Sequence, residues 1–406
     1  MTLSQRGARL VSGATPEYLL THFERSSDRW DPKTNPNGYL GLCVAENGRV
    51  WDLIGPRVNR ARTVPARAFA YDSMLGSTHF RERLAAFLGE RLAGRDLHPE
   101  QVSALSGAGT VLESLFYTIT DPGDAVLVPT PSYAGFWHDL ETRIQSQIIP
   151  VHGRSDSGFE VSAADLEAAY TASERPVRAL LLTNPDNPRG AVLAANHVER
   201  VLAWAESRDL HVVVDEVYAF SVFPAAEFRS VLRRRRLGPK THVVWAFSKD
   251  FAASGLRCGV LVSENEEIRR ALDSIAYWGC VSGDTQCLLS ELLDDRGWLD
   301  RYLAEMPRRL VRSYENVTAS LAQREIPFSE AQAGFFLLGD FRRFLRSASV
   351  EGERELWRRM VDEANVSFTP GAACRIAEPG FMRICHAAVS DEAAREAVRR
   401  VVEVVT

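Results

Sequence analysis

The feature that most constrains this chain is a series of short apolar runs between about residues 105 and 265, separated by helix-patterned or polar stretches. The runs are Ala125–Val128, Ala179–Leu182, His211–Val214, His242–Phe247 and Cys258–Val262. They are apolar almost throughout instead of at alternate positions, which is the pattern of strands covered on both faces. Ala163–Ala172 and Ala195–Ser207, by contrast, place apolar residues at three- and four-residue steps and predict amphipathic helices. A mostly parallel sheet flanked by helices follows, an α/β lobe. Beyond Glu291 the pattern turns helical and Arg-rich, with further apolar runs at Gly334–Leu338 and Met382–Cys385. The expected division is an N-terminal segment (1–65) folded onto a C-terminal small lobe (291–406), with a large lobe (66–290) between them and a cleft shared by the two. The Arg233–Arg236 run reads as a solvated helix end.

Composition narrows the function classes. The chain has 406 residues, 45% hydrophobic and 25% charged, with a formal net charge of −5. That balance excludes a disordered chain, a fibrous repeat and a disulfide-stapled miniprotein, and it lacks the basic footprint of a nucleic-acid binder. Six cysteines lie scattered without a CxxC or Cys/His cluster, so no metal site is expected and a reduced, cytoplasmic setting is. Met1–Arg9 lacks the apolar core of a signal peptide, and no run is long enough to cross a bilayer.

Of the 48 basic residues only three are lysine: Lys33, Lys240 and Lys249. Arginine does not give up its proton in a protein, so chemistry that needs a free amine has three candidates. Lys33 sits in an Asn/Pro-rich polar stretch and Lys240 follows a basic run. Lys249 directly follows an apolar strand, where burial would lower its pKa and expose a nucleophilic amine.

Other polar residues also fall where strands end, the usual ligand-binding edge of an α/β sheet. Ser106–Thr110 is a run of small residues ahead of an apolar helix, suited either to a phosphate at a helix N-terminus or to a tight turn capped by Thr110. NPDNPRG (184–190) is a loop stiffened by two prolines, holding the Asn187 amide in a set direction or serving purely as a turn. Asp215 closes the run His211–Val214 with Tyr218 three residues on; it is either a helix cap or a carboxylate waiting for a cationic ring.

Taken together, NPDNPRG, DEVY (215–218), SKD (248–250) and Arg257 resemble the pyridoxal 5'-phosphate (PLP) enzymes of the class I/II aminotransferase superfamily, fold type I. NPNGYLGLCVAEN (35–47), PSYAGFWHDL (131–140) and SFTPGAACRIAEPGFMRICHA (367–387) resemble its 1-aminocyclopropane-1-carboxylate (ACC) synthase branch. The resemblance spans nearly the whole chain. It implies a large domain with a mostly parallel seven-stranded sheet, a smaller α+β domain, and a homodimer with a shared active site. Lys249 would hold PLP covalently and then act as base at the substrate Cα. Asp215 would pair with the pyridinium N–H, Asn187 and Tyr218 with the ring's phenolic oxygen, and Tyr133 would stack on its face. Ala108, Gly109, Thr110, Ser248 and Arg257 would receive the phosphate. Arg383 would fork onto the substrate carboxylate. Glu46 would sit near the reacting end of the substrate and favour a cationic group there, the competing reading being a helix cap.

Two departures accompany the resemblance. Ala246 stands where the family's SxSK has a serine. Met74 stands where the branch carries a tyrosine that reaches the partner subunit, a role Tyr71 could take only if the chain slips locally. The implied reaction is Cα deprotonation followed by γ-elimination from S-adenosylmethionine, giving ACC or a vinylglycine-type product. The alternative is transamination, or β-elimination or cyclisation, of another cationic or hydroxylated amino acid.

Overall fold

Seven strands make the central sheet, in chain order β1 (Val102–Leu105), β2 (Ala125–Thr130), β3 (Gln147–His152), β4 (Val177–Thr183), β5 (His211–Asp215), β6 (Thr241–Ala246) and β7 (Gly259–Ser263). Their spatial order is β1-β7-β6-β5-β4-β2-β3. Only β7 runs against its neighbours; every other pairing is parallel. Every residue of β6 and of β7 is buried, as the unbroken apolar runs require. The computed structural model describes residues 2–12, 15–60 and 64–406. Met1, at the head of the Met1–Arg9 stretch, and residues 61–63, just before position 65, lie outside the described residues.

The helices Ala163–Ala172 and Ala195–Ser207 occur with the bounds their apolar spacing predicts. Two strands escape the sequence pattern. β1 is only four residues long, and β3 is an edge strand that contains Pro150 and buries only Ile148 and Val151. Arg233–Arg236 does not end a regular helix: Val231–Arg233 is a single 3-10 turn, and Arg234 pairs with Glu206 at 2.8 Å.

A second, three-stranded antiparallel sheet carries Phe381–Cys385 at its centre, between Phe336–Asp340 and Thr369–Pro370. The N-terminal segment joins this region through a short parallel pairing, Leu40↔Val366 and Gly41↔Ser367. The helix Glu17–Arg25 lies along the helix Val350–Asp362. Glu17 binds Arg354 and Arg358, and Arg25 donates to Val361 O (2.6 Å) and Asp362 (2.7 Å). No helix among the described residues is long and apolar enough to cross a membrane.

Candidate active site

One edge of the central sheet gathers the polar residues. β2, β4, β5 and β6 point their carboxyl ends there, while antiparallel β7 presents its amino end, so Arg257 arrives at the same edge as Asp215 and Lys249. β1 feeds Ser106 and Gly107 to this edge beside Gly259, since Leu105 pairs with Gly259.

Gly107 opens the helix Ala108–Ile119 with φ +93°, a conformation that favours glycine. A side chain there would also meet the Arg257 guanidinium, with a Cβ only 2.4 Å from Nη2, and a Cβ at Gly259 would lie 2.4 Å from the Gly107 carbonyl carbon and 2.5 Å from Ala108 N. The first turn of this helix leaves its N–H groups without intrahelical acceptors, and Ala108, Gly109 and Thr110 supply them beside a guanidinium. This is an anion cradle. Thr110 is not the cap; its hydroxyl donates to Ser106 O at 2.9 Å inside the first turn.

Lys249 lies on the short helical turn Phe247–Asp250, past a strand that ends one residue earlier than the apolar run suggests. Its Nζ donates to Ala45 O (2.8 Å), and burial, helped by the Arg383 charge, lowers its pKa to about 8. Ser248 sits on the same turn, its carbonyl accepting from Ser254 Oγ at 3.0 Å. The next residue, Asp250, is fully buried and accepts from Ser221 Oγ (2.6 Å), Trp245 Nε1 (2.9 Å) and Phe220 N (3.1 Å), which ties the turn to the loop after Tyr218.

Asp215 is 5% exposed, and burial pushes its pKa up to about 7. It receives Val217 N at 3.2 Å and caps no helix, for a turn follows it. Tyr218, fully enclosed, has its hydroxyl pushed well above the usual range by burial and accepts from Asn187 Nδ2 at 3.4 Å. Asn187 Oδ1 in turn accepts from Arg383 Nη1 at 3.0 Å.

Arg383 is no surface ion pair. It is 3% exposed, its Nη2 donates to Cys43 O (2.6 Å) and Thr369 Oγ1 (3.0 Å), and its Nε is buried without a partner. Tyr133 packs edge-on to Phe136, with 39% of its surface open, and feels the charges of Asp139, Arg383, Asp215 and Arg257. Glu46 is exposed in a loop, not at a helix cap, and its charge acts on both Lys249 and His22. Every expected site residue therefore belongs to this one edge or to the segments facing it.

Several residues near the site escape the sequence reading. Tyr18, on the helix Glu17–Arg25, is 7% exposed and feels the charge of Arg383. Asp139, whose carboxyl oxygen would lie 3.3 Å from a Cβ at Gly109, is raised by burial to about 6. Thr369 faces Arg383 through the strand register. Asp139 and Thr369 lie within the motifs 131–140 and 367–387, but nothing there marks them individually, and Tyr18 looks like an ordinary helix residue until the chain brings it to the edge. Met74 is half-buried, one side against the apolar cluster of Leu75, Leu105 and Val111, whereas Ala246 is fully buried at the end of β6.

The donor set fits a phosphorylated pyridine aldehyde. An amine lowered to about 8, a buried carboxylate with one protein donor, a paired amide and phenol, and an anion cradle stand on one edge. Ser132 Oγ and Asn184 Nδ2, at the ends of β2 and β4, are buried without partners.

Residues 64–401 match the family described as aminotransferase class I and II. The chain is 30% identical to 1-aminocyclopropane-1-carboxylate synthase 9 of Arabidopsis thaliana, covering 99% of this chain and 90% of that protein. It is 31% identical to 1-aminocyclopropane-1-carboxylate synthase 2 of Cucurbita pepo, covering 91% and 79%. Among solved structures, an aspartate aminotransferase from Thermus thermophilus superposes with a TM-score of 0.84 at 21% identity, over 100% of both chains. That of Thermotoga maritima does so with 0.80 at 22%, over 99% of both. At such identities these two likenesses speak for the fold.

Proposed function

The chain belongs to the class I and II aminotransferase family, in its ACC-synthase-like branch, and from that premise we propose that it is a lyase acting on S-adenosylmethionine. The family's cofactor is pyridoxal 5'-phosphate, which, when bound, supplies an electron sink for a carbanion at the substrate Cα.

The remaining work falls to the chain's own groups. Lys249, whose neutral form is plentiful near pH 8, would hold the cofactor through its amine, and its Nζ would take the Cα proton of the substrate. Asp215 has one protein donor in a buried setting, so a cationic ring N–H beside it would restore its charged form. Asn187 and Tyr218 address the phenolic oxygen. Ala108, Gly109 and Thr110, with Ser248 and Arg257, would hold the phosphate, and Tyr133 would cover the ring. Arg383 takes the substrate carboxylate, a role supported by its buried, unpartnered Nε. Glu46, exposed beside Lys249, faces the sulfonium end. The net change forms the Cα–Cγ bond as the Cγ–S bond breaks. Methylthioadenosine leaves with the bonding pair, and the Cα proton stays with Lys249 until solvent removes it.

The observation that carries this reading is that one segment, residues 43–46, brings three groups together: Arg383 Nη2 donates to Cys43 O (2.6 Å), Lys249 Nζ donates to Ala45 O (2.8 Å), and the next residue is the carboxylate Glu46. Incubation of the PLP-loaded protein with S-adenosylmethionine tests it: methylthioadenosine and ACC are expected, and release of neither overturns it. Conversion of the cofactor to its pyridoxamine form by an amino acid would favour transamination; the lyase is preferred because the two relatives matched at 30% identity or more are ACC synthases.

We also propose a homodimer with a shared site. A cavity of about 630 Å³ is lined by Tyr71, Met74 and Tyr277 among others; Tyr71 and Tyr277 are 89% and 62% exposed, and their chain neighbours Phe69 and Trp278 are 85% and 77% exposed. Such a patch suits a second copy. A cytoplasmic setting accords with the six free cysteines, and the division into 1–65, 66–290 and 291–406 remains part of the same reading.

A further inference from the structure

The loop NPDNPRG holds more than its asparagine. Asp186 and Arg189, 5% and 8% exposed, are a buried ion pair that flanks Asn187–Pro188. Arg189 Nε donates to Asp186 Oδ2 at 2.5 Å, and the Arg189 backbone N–H donates to Asp186 Oδ1 at 2.8 Å, so one carboxylate closes a ring around the two residues between them. Arg189 Nη1 reaches across to Gly158 O at 2.5 Å and fastens the ring to a neighbouring loop. On the other side Gly190 O receives Gln332 N (2.7 Å) and Ala333 N (2.9 Å), from the chain just before Phe336–Asp340.

Within this ring Asn187 has two duties that depend on one torsion angle. Its Nδ2 faces Tyr218 Oη and its Oδ1 holds Arg383 Nη1. A rotation that improves one contact spoils the other, and prolines on either side of Asp186–Asn187 do not fix a side-chain torsion. A bidentate, charge-assisted pair with one backbone arm does restrain the peptide that carries it.

We propose that Asp186 and Arg189 are positioning residues: their ion pair sets the direction of the Asn187 amide, and through it both the electronic state of the cofactor oxygen and the seating of Arg383. This deepens the PLP reading and rests on it. An amide that donates to the oxygen favours its charged form and lowers the pH at which the loaded protein changes colour, so loosening Asn187 raises that pH.

The test is a pH titration of the visible absorbance band in the PLP-loaded protein, for Arg189→Lys, Asn187→Ala and the double variant, with Asp186→Asn as a second probe should Arg189→Lys fold poorly. Arg189→Lys keeps the charge but loses the fork, and it is expected to raise the midpoint by about half a pH unit or more, as Asn187→Ala does. In the Asn187→Ala background the arginine change should add nothing, since coupled positions are not additive. A midpoint unmoved by Arg189→Lys and by Asp186→Asn, or the same shift added on top of Asn187→Ala, overturns the proposal while the cofactor reading stands. A wild-type protein that forms no visible band with PLP overturns the cofactor reading itself.

Discussion

The proposed cofactor end and the proposed substrate end of the site are built differently. The cofactor end stands on one sheet edge: Gly107, Asp215, Lys249 and Arg257 each lie within a few residues of a strand terminus, and their setting is made of backbone geometry and burial. The substrate end is assembled from segments far apart in the chain. Arg383, Cys43, Thr369, Tyr18 and Glu46 meet only because a short parallel pairing and several Arg–carboxylate contacts seat residues 17–47 on the C-terminal region. The contrast between Asp250 and Asp215 teaches the same lesson on a small scale. Burial pushes both up to about 7, but Asp250 is satisfied by three protein donors and Asp215 by one. A buried carboxylate with unused acceptor capacity marks where a ligand belongs, and a saturated one marks what holds the frame.

If the two ends are separable, substitutions should divide their effects. On the proposed reading, Arg383→Leu removes the guanidinium that would receive the substrate carboxylate in up to two charge-assisted bonds. It should raise KM by about a hundredfold, on the basis of roughly 1.5 kcal/mol per such bond, and leave PLP affinity little changed. A comparable loss of PLP affinity would erase the distinction. The pH dependence of cofactor capture sharpens the cofactor end. Since only the neutral amine reacts and Lys249 titrates at about 8, the rate at which apo protein traps PLP should rise about tenfold per pH unit below 8 and level off above it. A rate still climbing at pH 10 would mean that the amine is not depressed. The same shift carries a stability consequence with a definite sign. The unfolded chain binds the Lys249 proton up to about pH 10.4 whereas the folded chain releases it near 8, so this residue's contribution to apo stability rises with pH across that window and is constant below it.

Gly107→Ala places a methyl against Arg257 and strains a left-handed backbone. It should weaken PLP binding by about tenfold, read by equilibrium titration, and leave the substrate KM within about twofold. The smallest effect is expected from Glu46→Gln. The group is exposed and screened, so KM for S-adenosylmethionine should rise only about threefold, the rise shrinking with added salt. A rise that salt does not touch would place this carboxylate in a drier setting than the loop provides.

Much of the cofactor end is legible in the sequence for a physical reason. Asp215, Lys249 and the Ser106–Thr110 run are anomalies at known phase, polar or small residues at the end of an apolar run, and a run long enough to be a strand fixes where its end lies. The reading weakens where the pattern is short or mixed: β1 and β3 leave no clear run, the strand before Lys249 stops at Ala246, and the helix expected after the Ser106–Thr110 run begins within it, at Ala108.

What the sequence by itself determined is the inventory and its local order: one amine after a buried strand, one carboxylate at the end of another, and small residues ahead of a helix. What only the tertiary structure decided is company. Arg383 shares its hydrogens with Asn187, Cys43 and Thr369 across separations of 196, 340 and 14 residues. Tyr18 comes under the same guanidinium, and Arg189 spends its fork on Asp186 instead of on solvent. Strand and helix periodicity report on neighbours a few residues away, whereas partners such as Asn187, Cys43 and Tyr18 are chosen by how sheets and helices pack, and that choice leaves no local trace in the chain.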